Sequence, residues 1–336
     1  MTEPHMYFNV LVNGFMHKLI SLFVKVSVAL GTFVIVSIVV FLLLRLTPGG
    51  PLAEAERISN MSAEQFANLR ELYGLDQSMP EQYWRYLSSF ITGNWGDSIR
   101  NHRPSIDIIF ERIPWTILLV GTALLIVVPL SLAIGINSAE KFQTKTDFFS
   151  TFLLSIGQSI PAFWLGTVLI LIFYVWIKNP ITGGALFPSS GVYTLGREED
   201  ILNYIWHLVL PVVTLTIGWL PWYARYVRTG MIEIMREDYI RTARAKGVSE
   251  KGVIYKHALA NLLPQLSTII ALDVPALFSG ALLIEVVFAW PGMGRLFWDA
   301  IRSRDYPILF PIIMLNIGLI VFFNLLADIF SKRFEH

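Results

Sequence analysis

Side chains able to make or break bonds are sparse in this chain. It contains no cysteine, which excludes disulfide frameworks, thiol catalysis and cysteine-based metal sites. No G-x-x-x-x-G-K-[ST] loop occurs, so the usual backbone cradle and lysine for nucleotide phosphates are missing. Nor is there an H-E-x-x-H pair. The six histidines are scattered: His207 and His257 are expected on opposite sides of a membrane, and no apolar run offers a buried histidine with a suitable serine partner for hydrolysis. The residues offer charge instead, in a basic segment from Arg236 to Gly247 and in the carboxylates Asp273 and Glu285 within apolar runs. No catalytic residue and no metal or cofactor bound by this chain is expected.

The basic segment has its own grammar. Arg236-Glu237-Asp238-Tyr239-Ile240-Arg241-Thr242-Ala243-Arg244-Ala245-Lys246-Gly247 predicts a short helix. Asp238 can cap its start, Arg241, Arg244 and Lys246 suit the negative end of its dipole, and Gly247 can take a left-handed exit. Ser249 can then cap a second short helix leading to His257. The charges alone are what a loop on the positive side of a membrane carries. Small Ala243 and Ala245 beside a glycine add something more, room for close approach by another protein surface. Asp273 poses a different problem, because an ionised carboxylate inside an apolar span costs at least about 2.5 kcal/mol unless it faces a cavity or a partner. Either it lines a path and attracts a cationic group, or it is protonated or hydrogen-bonded to a neighbouring helix. Glu285 near the outer end belongs to a gate or to packing.

The elements that carry these residues follow from composition. Of 336 residues 54% are apolar and 15% charged, an apolar excess and a charge deficit relative to soluble domains. The net charge of +1 gives no basic excess, so no nucleic-acid partner is expected. A hydrocarbon core about 30 Å thick needs about 20 apolar helical residues. Six runs qualify: Val26 to Leu44, Ile117 to Ile136, Phe148 to Ile177, His207 to Tyr223, Leu266 to Phe288 and Ile308 to Phe330. Unbroken runs rather than alternating ten-residue strands indicate helices, not a barrel. The first run is too long for a signal segment and no small-residue cleavage site follows it, so it is expected to stay as an anchor.

Charge placement orients the spans. With both termini inside, the inner segments hold Lys18, Lys25, Lys141, Lys145, Arg225, Arg228, Arg236, Arg241, Arg244, Lys246, Lys251, Lys256, Lys332 and Arg333, against Lys178, Arg197, Arg295, Arg302 and Arg304 in the short outer loops. This excess favours that orientation. The stretch 47–114 then lies outside and carries helices of its own. Ser62 with Gln65 forms a capping box ahead of a run closing at Gly74, and Pro80 opens a second run through Tyr83, Trp84 and Leu87. Pro129, Pro161, Pro211, Pro221 and Pro275 are expected to kink spans. Trp164, Trp206, Trp219, Trp222 and Trp290 read as interfacial anchors, and Asn316, Asn324 and Asp328 as bonds between helices.

Here the residues meet a family. The run from Asp238 to Gly247, followed by His257-Ala258-Leu259-Ala260-Asn261, resembles the EAA loop of ABC importer permeases of the oligopeptide, dipeptide and nickel class. Further matches are Phe41-Leu42-Leu43-Leu44-Arg45-Leu46-Thr47-Pro48-Gly49, Tyr73-Gly74-Leu75-Asp76-Gln77, Gly93-Asn94-Trp95-Gly96-Asp97-Ser98 and Ser159-Ile160-Pro161-Ala162-Phe163-Trp164-Leu165-Gly166. Glu285-Val286-Val287-Phe288-Ala289-Trp290-Pro291-Gly292-Met293-Gly294 and Arg304-Asp305-Tyr306-Pro307 complete the set. The resemblance implies an all-α polytopic membrane protein with six transmembrane helices, a type I-like importer permease in a bacterial or archaeal inner membrane. It implies a cytoplasmic N-terminus and first span over 1–46, an extracytoplasmic helical subdomain over 47–114, a permease core over 115–330 with a coupling loop at about 225–264, and a cytoplasmic tail over 331–336. The implied partners are a second permease, two cytoplasmic ATPases that use ATP and Mg, an extracytoplasmic substrate-binding protein and the lipid bilayer. The coupling role falls on Asp238, Arg241, Thr242, Ala243, Arg244, Ala245, Lys246, Gly247 and His257, and the substrate pathway on Asp273 and Glu285.

Three positions depart from the family pattern. Pro264 stands seven rather than eight residues after His257, Gly49-Gly50-Pro51 replaces Gly-Asp-Pro, and Asp273 replaces a glutamine common in mid-span. A rival reading is a channel or ion-gradient-driven transporter working without ATPases, with Asp273 or Glu285 as its ion site. Against it, the two halves show no visible repeat symmetry.

Overall fold

In the computed structural model, which describes residues 4–46, 62–72 and 74–331, these apolar runs fold as helices, and the described residues hold no sheet, only the isolated bridges Asp97–Pro104 and Lys178–Ala185. In chain order the helices are α1 (Pro4–Leu46), α2 (Ala63–Leu72), α3 (Met79–Thr92), α4 (Ser105–Glu140), α5 (Lys145–Ser159), α6 (Ala162–Ile170), α7 (Ile201–Ile234), α8 (Asp238–Ala245), α9 (Glu250–Gly252), α10 (Leu259–Gly280), α11 (Leu282–Val287), α12 (Met293–Ser303) and α13 (Tyr306–Ser331). A π-helical turn, Leu171–Trp176, continues α6, and another, Val253–Ala258, joins α9 to α10.

Five helices among the described residues are long and apolar enough to cross a membrane, and α5 with α6 makes a sixth if the bent pair is one span. The bend is 90° and falls at Ile160-Pro161. Pro161 supplies no N–H, and its ring pushes Ile160 into the extended conformation that is observed (φ −89°, ψ 122°). The other four prolines expected to kink spans, Pro129, Pro211, Pro221 and Pro275, all lie inside continuous helices. The fifth span also differs from expectation. Its helical path starts at Glu250 rather than Leu266 and α10 ends at Gly280, so the expected run to Phe288 is divided between α10 and α11.

The residues divide into two compact units, one of 1–95 with 309–336 and one of 96–308. In the described part of the first, Phe41, Phe310, Met314 and Ile317 are buried together, and α3 lays Tyr83, Tyr86, Leu87 and Phe90 onto them. That i, i+3, i+4, i+7 spacing is one face of a helix. Phe41 meets Tyr83 edge-on at 5.7 Å, and the Ser37 hydroxyl shares a 2.7 Å hydrogen bond with the Tyr83 hydroxyl. The second helix of the stretch expected to stand outside therefore packs along the first span. Its start is capped by Ser78, whose backbone N–H and hydroxyl both donate to Glu81 (3.0 and 2.8 Å) and hold that carboxyl below the usual carboxylate range. α2 begins after Ser62 as expected. It closes through Gly74 (φ 63°), with Leu75 N–H bonded to Arg70 O and Gly74 N–H to Glu71 O, a Schellman exit. The motif segment Thr47 to Gly49, the substituted Gly50-Pro51, Tyr73, and Lys332 and Arg333 lie outside the described residues, as do the side chains of Gln65 and Asp328.

In the second unit α4 and α7 lie against each other. A Cβ at Gly135 would overlap Val227 and the Ala224 carbonyl, so the glycine is what lets the two helices approach so closely. With 36 and 34 residues, α4 and α7 are each about 50 Å long at 1.5 Å per residue, well beyond the ~30 Å core. They therefore carry structure past the membrane boundary. At one end of the unit Val127, Ile136, Tyr223, Val227, Met231, Ile240, Val253, Ile254, Ala258 and Leu262 form one core, and at the other Leu119, Leu210, Leu215, Ile284, Phe288 and Trp290 form a second. Trp290, expected as an interfacial anchor, has no exposed surface. Its indole N–H donates to Trp115 O (2.9 Å) and its ring meets Trp115 edge-on, which makes it a core residue. Trp164 and Trp222 are more than half exposed, as anchors should be.

Candidate functional site

The basic segment folds as a helical hairpin. α8 spans Asp238–Ala245, with Glu237 rather than Asp238 in the extended cap position; Asp238 is the first helical residue and pairs with Arg241 at 3.2 Å. The expected cap thus shifts by one residue. Gly247 has φ 77°, and Gly247 N–H to Arg244 O with Val248 N–H to Ala243 O closes the helix as the sequence predicts. Ser249 caps the next helix by accepting from Gly252 N–H at 3.3 Å, and that helix runs through the π-turn holding His257 into α10.

The hairpin has two faces. Ile240, fully buried, and Ala243 anchor it to the core beneath, against Val253, Ile254 and Ala258. Ala243 is therefore not open to an incoming surface, as its small size suggested. It serves the chain's own packing, while Ala245 is exposed. Arg241, Thr242, Arg244, Ala245, Lys246 and Gly247 form the exposed edge. Arg244 is held in place by Glu250 through two bonds (2.7 and 3.2 Å), which straps α8 to α9. His257 is half-buried, and its carbonyl accepts from Asn261, whose amide also donates to the Tyr239 hydroxyl at 3.2 Å. Nothing stands within 4 Å of where a Gly247 side chain would project. The edge is open, polar and supported from below.

The two carboxylates do not come together, and they sit in different surroundings. Asp273 on α10 is half-buried and accepts a 3.1 Å hydrogen bond from the hydroxyl of Tyr223 on α7, which is 1% exposed. A neighbouring helix therefore supplies a partner, as one of the two readings of Asp273 required, and part of the side chain stays accessible. Glu285 is fully buried. Its Oε1 accepts from Thr116 (2.7 Å) and its Oε2 from the Arg295 backbone N–H (3.0 Å) at the start of α12, while Met293 N–H donates to the same Thr116 hydroxyl. Expected as a pathway residue, Glu285 has no surface in this conformation. Its carboxyl group accepts at a helix N-terminus and ties that end to Thr116. The glycines of its motif explain themselves here, since a Cβ at Gly292 would overlap the Glu285 carboxylate and one at Gly294 would overlap Leu282.

Three polar contacts went unread in the sequence. Ser98 and the backbone amides of Ile99 and Arg100 converge on the buried carboxylate of Asp305. Both residues stand in motifs already singled out, and the motif pairing was the available signal. Asp147 and Arg228 form a bidentate ion pair with only ordinary residues around each in sequence. His207 is buried in α7, and its hydrogen bonds go to two backbone carbonyls and a threonine rather than to a serine hydroxyl. Its Nδ1 faces the carbonyls of Ser190 and Gly191 (3.1 and 3.2 Å) and its Nε2 the Thr194 hydroxyl (3.2 Å), so it pins the loop before α7.

Comparison with known proteins agrees with this arrangement. Residues 128–336 match the family described as binding-protein-dependent transport system inner membrane component, and residues 18–120 match the N-terminal family of the same membrane components. The chain is 36% identical over 297 residues to the oligopeptide transport system permease protein AppB of Bacillus subtilis, covering 88% of this chain and 91% of that one. It is 34% identical over 306 residues to the dipeptide transport system permease protein DppB of Alkalihalophilus pseudofirmus (87% and 91%), and 30% over 321 residues to DppB of Escherichia coli K12 (91% and 94%). An all-helical body with five or six spans, a hairpin offering an open polar edge and sequence kinship across both family models lead to one conclusion: the chain belongs to the binding-protein-dependent transport system inner membrane components, and is an integral inner-membrane permease subunit of an ABC importer rather than an enzyme.

Proposed function

We propose that this permease imports peptides and that α8 with its exit turn is the helix through which separate ATPase subunits drive it. The observation that carries the second part is the two-faced hairpin, with Ile240 and Ala243 fixed in the core and Arg241, Thr242, Arg244, Ala245, Lys246 and Gly247 exposed. A loop that only sets topology needs summed charge; a mechanical seat needs a rigid, shaped edge. The peptide cargo is supported by the names of the oligopeptide and dipeptide permeases that the chain resembles over most of its length.

In this reading both termini and the hairpin are cytoplasmic, residues 47–114 lie on the outer side, residues 115–330 form the core and 331–336 a cytoplasmic tail. The chain pairs with a second permease and two ATPases that use ATP and Mg, and takes substrate from an extracytoplasmic binding protein. Substrate passes by alternating access. ATP shifts the balance between inward- and outward-open states only to the extent that it favours one of them. Asp273, half-exposed and oriented by Tyr223, is the pathway acid that attracts a cationic group such as a peptide amino terminus.

Affinity purification of the tagged chain from the membrane tests the division of labour. ATPase subunits should co-purify with wild type and be lost with Gly247→Arg, while the variant still inserts in the membrane. Full transport by Gly247→Arg, or gradient-driven uptake by the lone chain in liposomes, would overturn the assignment.

A further inference from the structure

The hairpin hangs from the end of α7, and a second cluster grips that end. Lys141 to Thr144 form the turn between α4 and α5, and Asp147 lies in the first turn of α5, 4% exposed. Its two oxygens accept from Arg228 Nε and Nη2 on α7 at 2.7 and 2.8 Å, a fork that leaves the guanidinium little freedom to pivot. The backbone N–H of Gln143 closes the loop on the same carboxylate at 3.0 Å, with Gln143 itself at φ 61°.

Beside this pair, the ring of Phe142 lies under two guanidiniums, that of Arg228 at 5.4 Å and that of Arg236 at 5.8 Å. Arg228 is two turns before the end of α7, and Arg236 is in the short connection from α7 to α8. The 141–147 loop therefore holds both the last turns of α7 and the connection on which the hairpin hangs. From Asp147, α5 runs to the 90° break at Ile160-Pro161.

We propose that Asp147 and Arg228, with Phe142 as the wedge between Arg228 and Arg236, are positioning residues that transmit the movement of the hairpin to α5 and so to the broken third span. This rests on the coupling role proposed for the hairpin. Without the fork, the hairpin could still seat on an ATPase, but its motion would be absorbed at the end of α7 instead of reaching α5. The pair is thus assigned to coupling, not to ATPase binding.

The test uses the whole importer purified with its co-purifying subunits and reconstituted in liposomes, with ATP hydrolysis and uptake of a tri-alanine peptide followed together. Arg228→Lys keeps the charge but not the fork. It should retain the ATPase subunits and at least half the hydrolysis rate, and raise ATP consumed per peptide imported about fivefold or more. Asp147→Asn should act in the same direction. An unchanged ratio in an assembled Arg228→Lys importer overturns the inference. So does failure of both single variants to assemble, which would make the pair a folding element only. Retention of the ATPases by Gly247→Arg would instead sink the hairpin reading, and the two failures are read from different variants.

Discussion

The hydroxyl of Ser98 donates to the carboxylate of Asp305 across 207 residues of sequence, and the acid it meets is 2% exposed. Two peptide N–H groups, from Ile99 (3.2 Å) and Arg100 (3.4 Å), approach the same carboxylate, and Asn101 N–H returns to the Ser98 hydroxyl at 3.0 Å. One loop is thereby wrapped around one acid at the start of α13. A buried charge that receives this many donors is tolerated, and one that loses them is not.

Removing the acid should therefore cost more than its size suggests. Asp305→Ala strands the Ser98 hydroxyl and the two amides, and is expected to destabilise the protein by about 2–3 kcal/mol. Thermal unfolding in detergent measures it as a lowered midpoint. Ser98→Ala should lower the midpoint less, since two amide donors remain. A midpoint equal to wild type in Asp305→Ala would show that the loop is held by something else.

Gly292 should not tolerate even a methyl group. The Cβ would overlap the Glu285 carboxylate, which is itself fixed by Thr116 and the start of α12, so neither side can yield without loss. Overpacking of this kind costs about 1–3 kcal/mol. Gly292→Ala is expected to lower the unfolding midpoint. Restoration of that midpoint by shortening the acid in Gly292→Ala with Glu285→Asp would identify the carboxylate as the obstacle.

At Gly247 space is open and only the backbone objects. Gly247→Ala meets no neighbour, so the expected cost is the left-handed conformation alone, about 1–2 kcal/mol, and Gly247→Asn should recover part of it. Hydrogen exchange at the Gly247 and Val248 amide positions would register the difference as faster local opening in the alanine variant. Equal protection in all three proteins would mean that φ 77° is not required there.

The Tyr223–Asp273 bond separates charge from shape. Asp273→Asn keeps the size and loses the charge. It should reduce uptake of peptides with a free amino terminus by about tenfold or less, the 1.4 kcal/mol scale of one modest electrostatic contact, and leave N-acetylated peptides unaffected. Tyr223→Phe should reduce uptake of peptides with a free amino terminus by a smaller factor and leave N-acetylated peptides unaffected, because it loosens the carboxylate without removing it. Equal losses for both classes in Asp273→Asn would remove Asp273 from cargo selection.

Much of this molecule was legible in its sequence because the governing rules are local. Span positions follow from apolar length, since lipid leaves the backbone no partner but itself, and the exits at Gly74 and Gly247 follow from the one residue type that accepts positive φ without strain. The break at Pro161 was legible as a site of distortion, but its 90° angle was not, nor was the continuity of the helices through Pro129, Pro211, Pro221 and Pro275. A missing N–H weakens a helix, and packing from neighbours decides whether it breaks.

The candidate site divides the same way. Sequence alone determined that a basic helix would end at Gly247 and that Asp273 and Glu285 would stand in apolar surroundings, because charge, turn and hydropathy are properties of short segments. Only the tertiary structure decided that Ala243 faces inward, that Glu285 is enclosed by Thr116 and α12 while Asp273 keeps a partner and an opening, and that Asp147 finds Arg228. Burial and pairing are set by residues tens to hundreds of positions away, whose distances are fixed when the helices pack and not before.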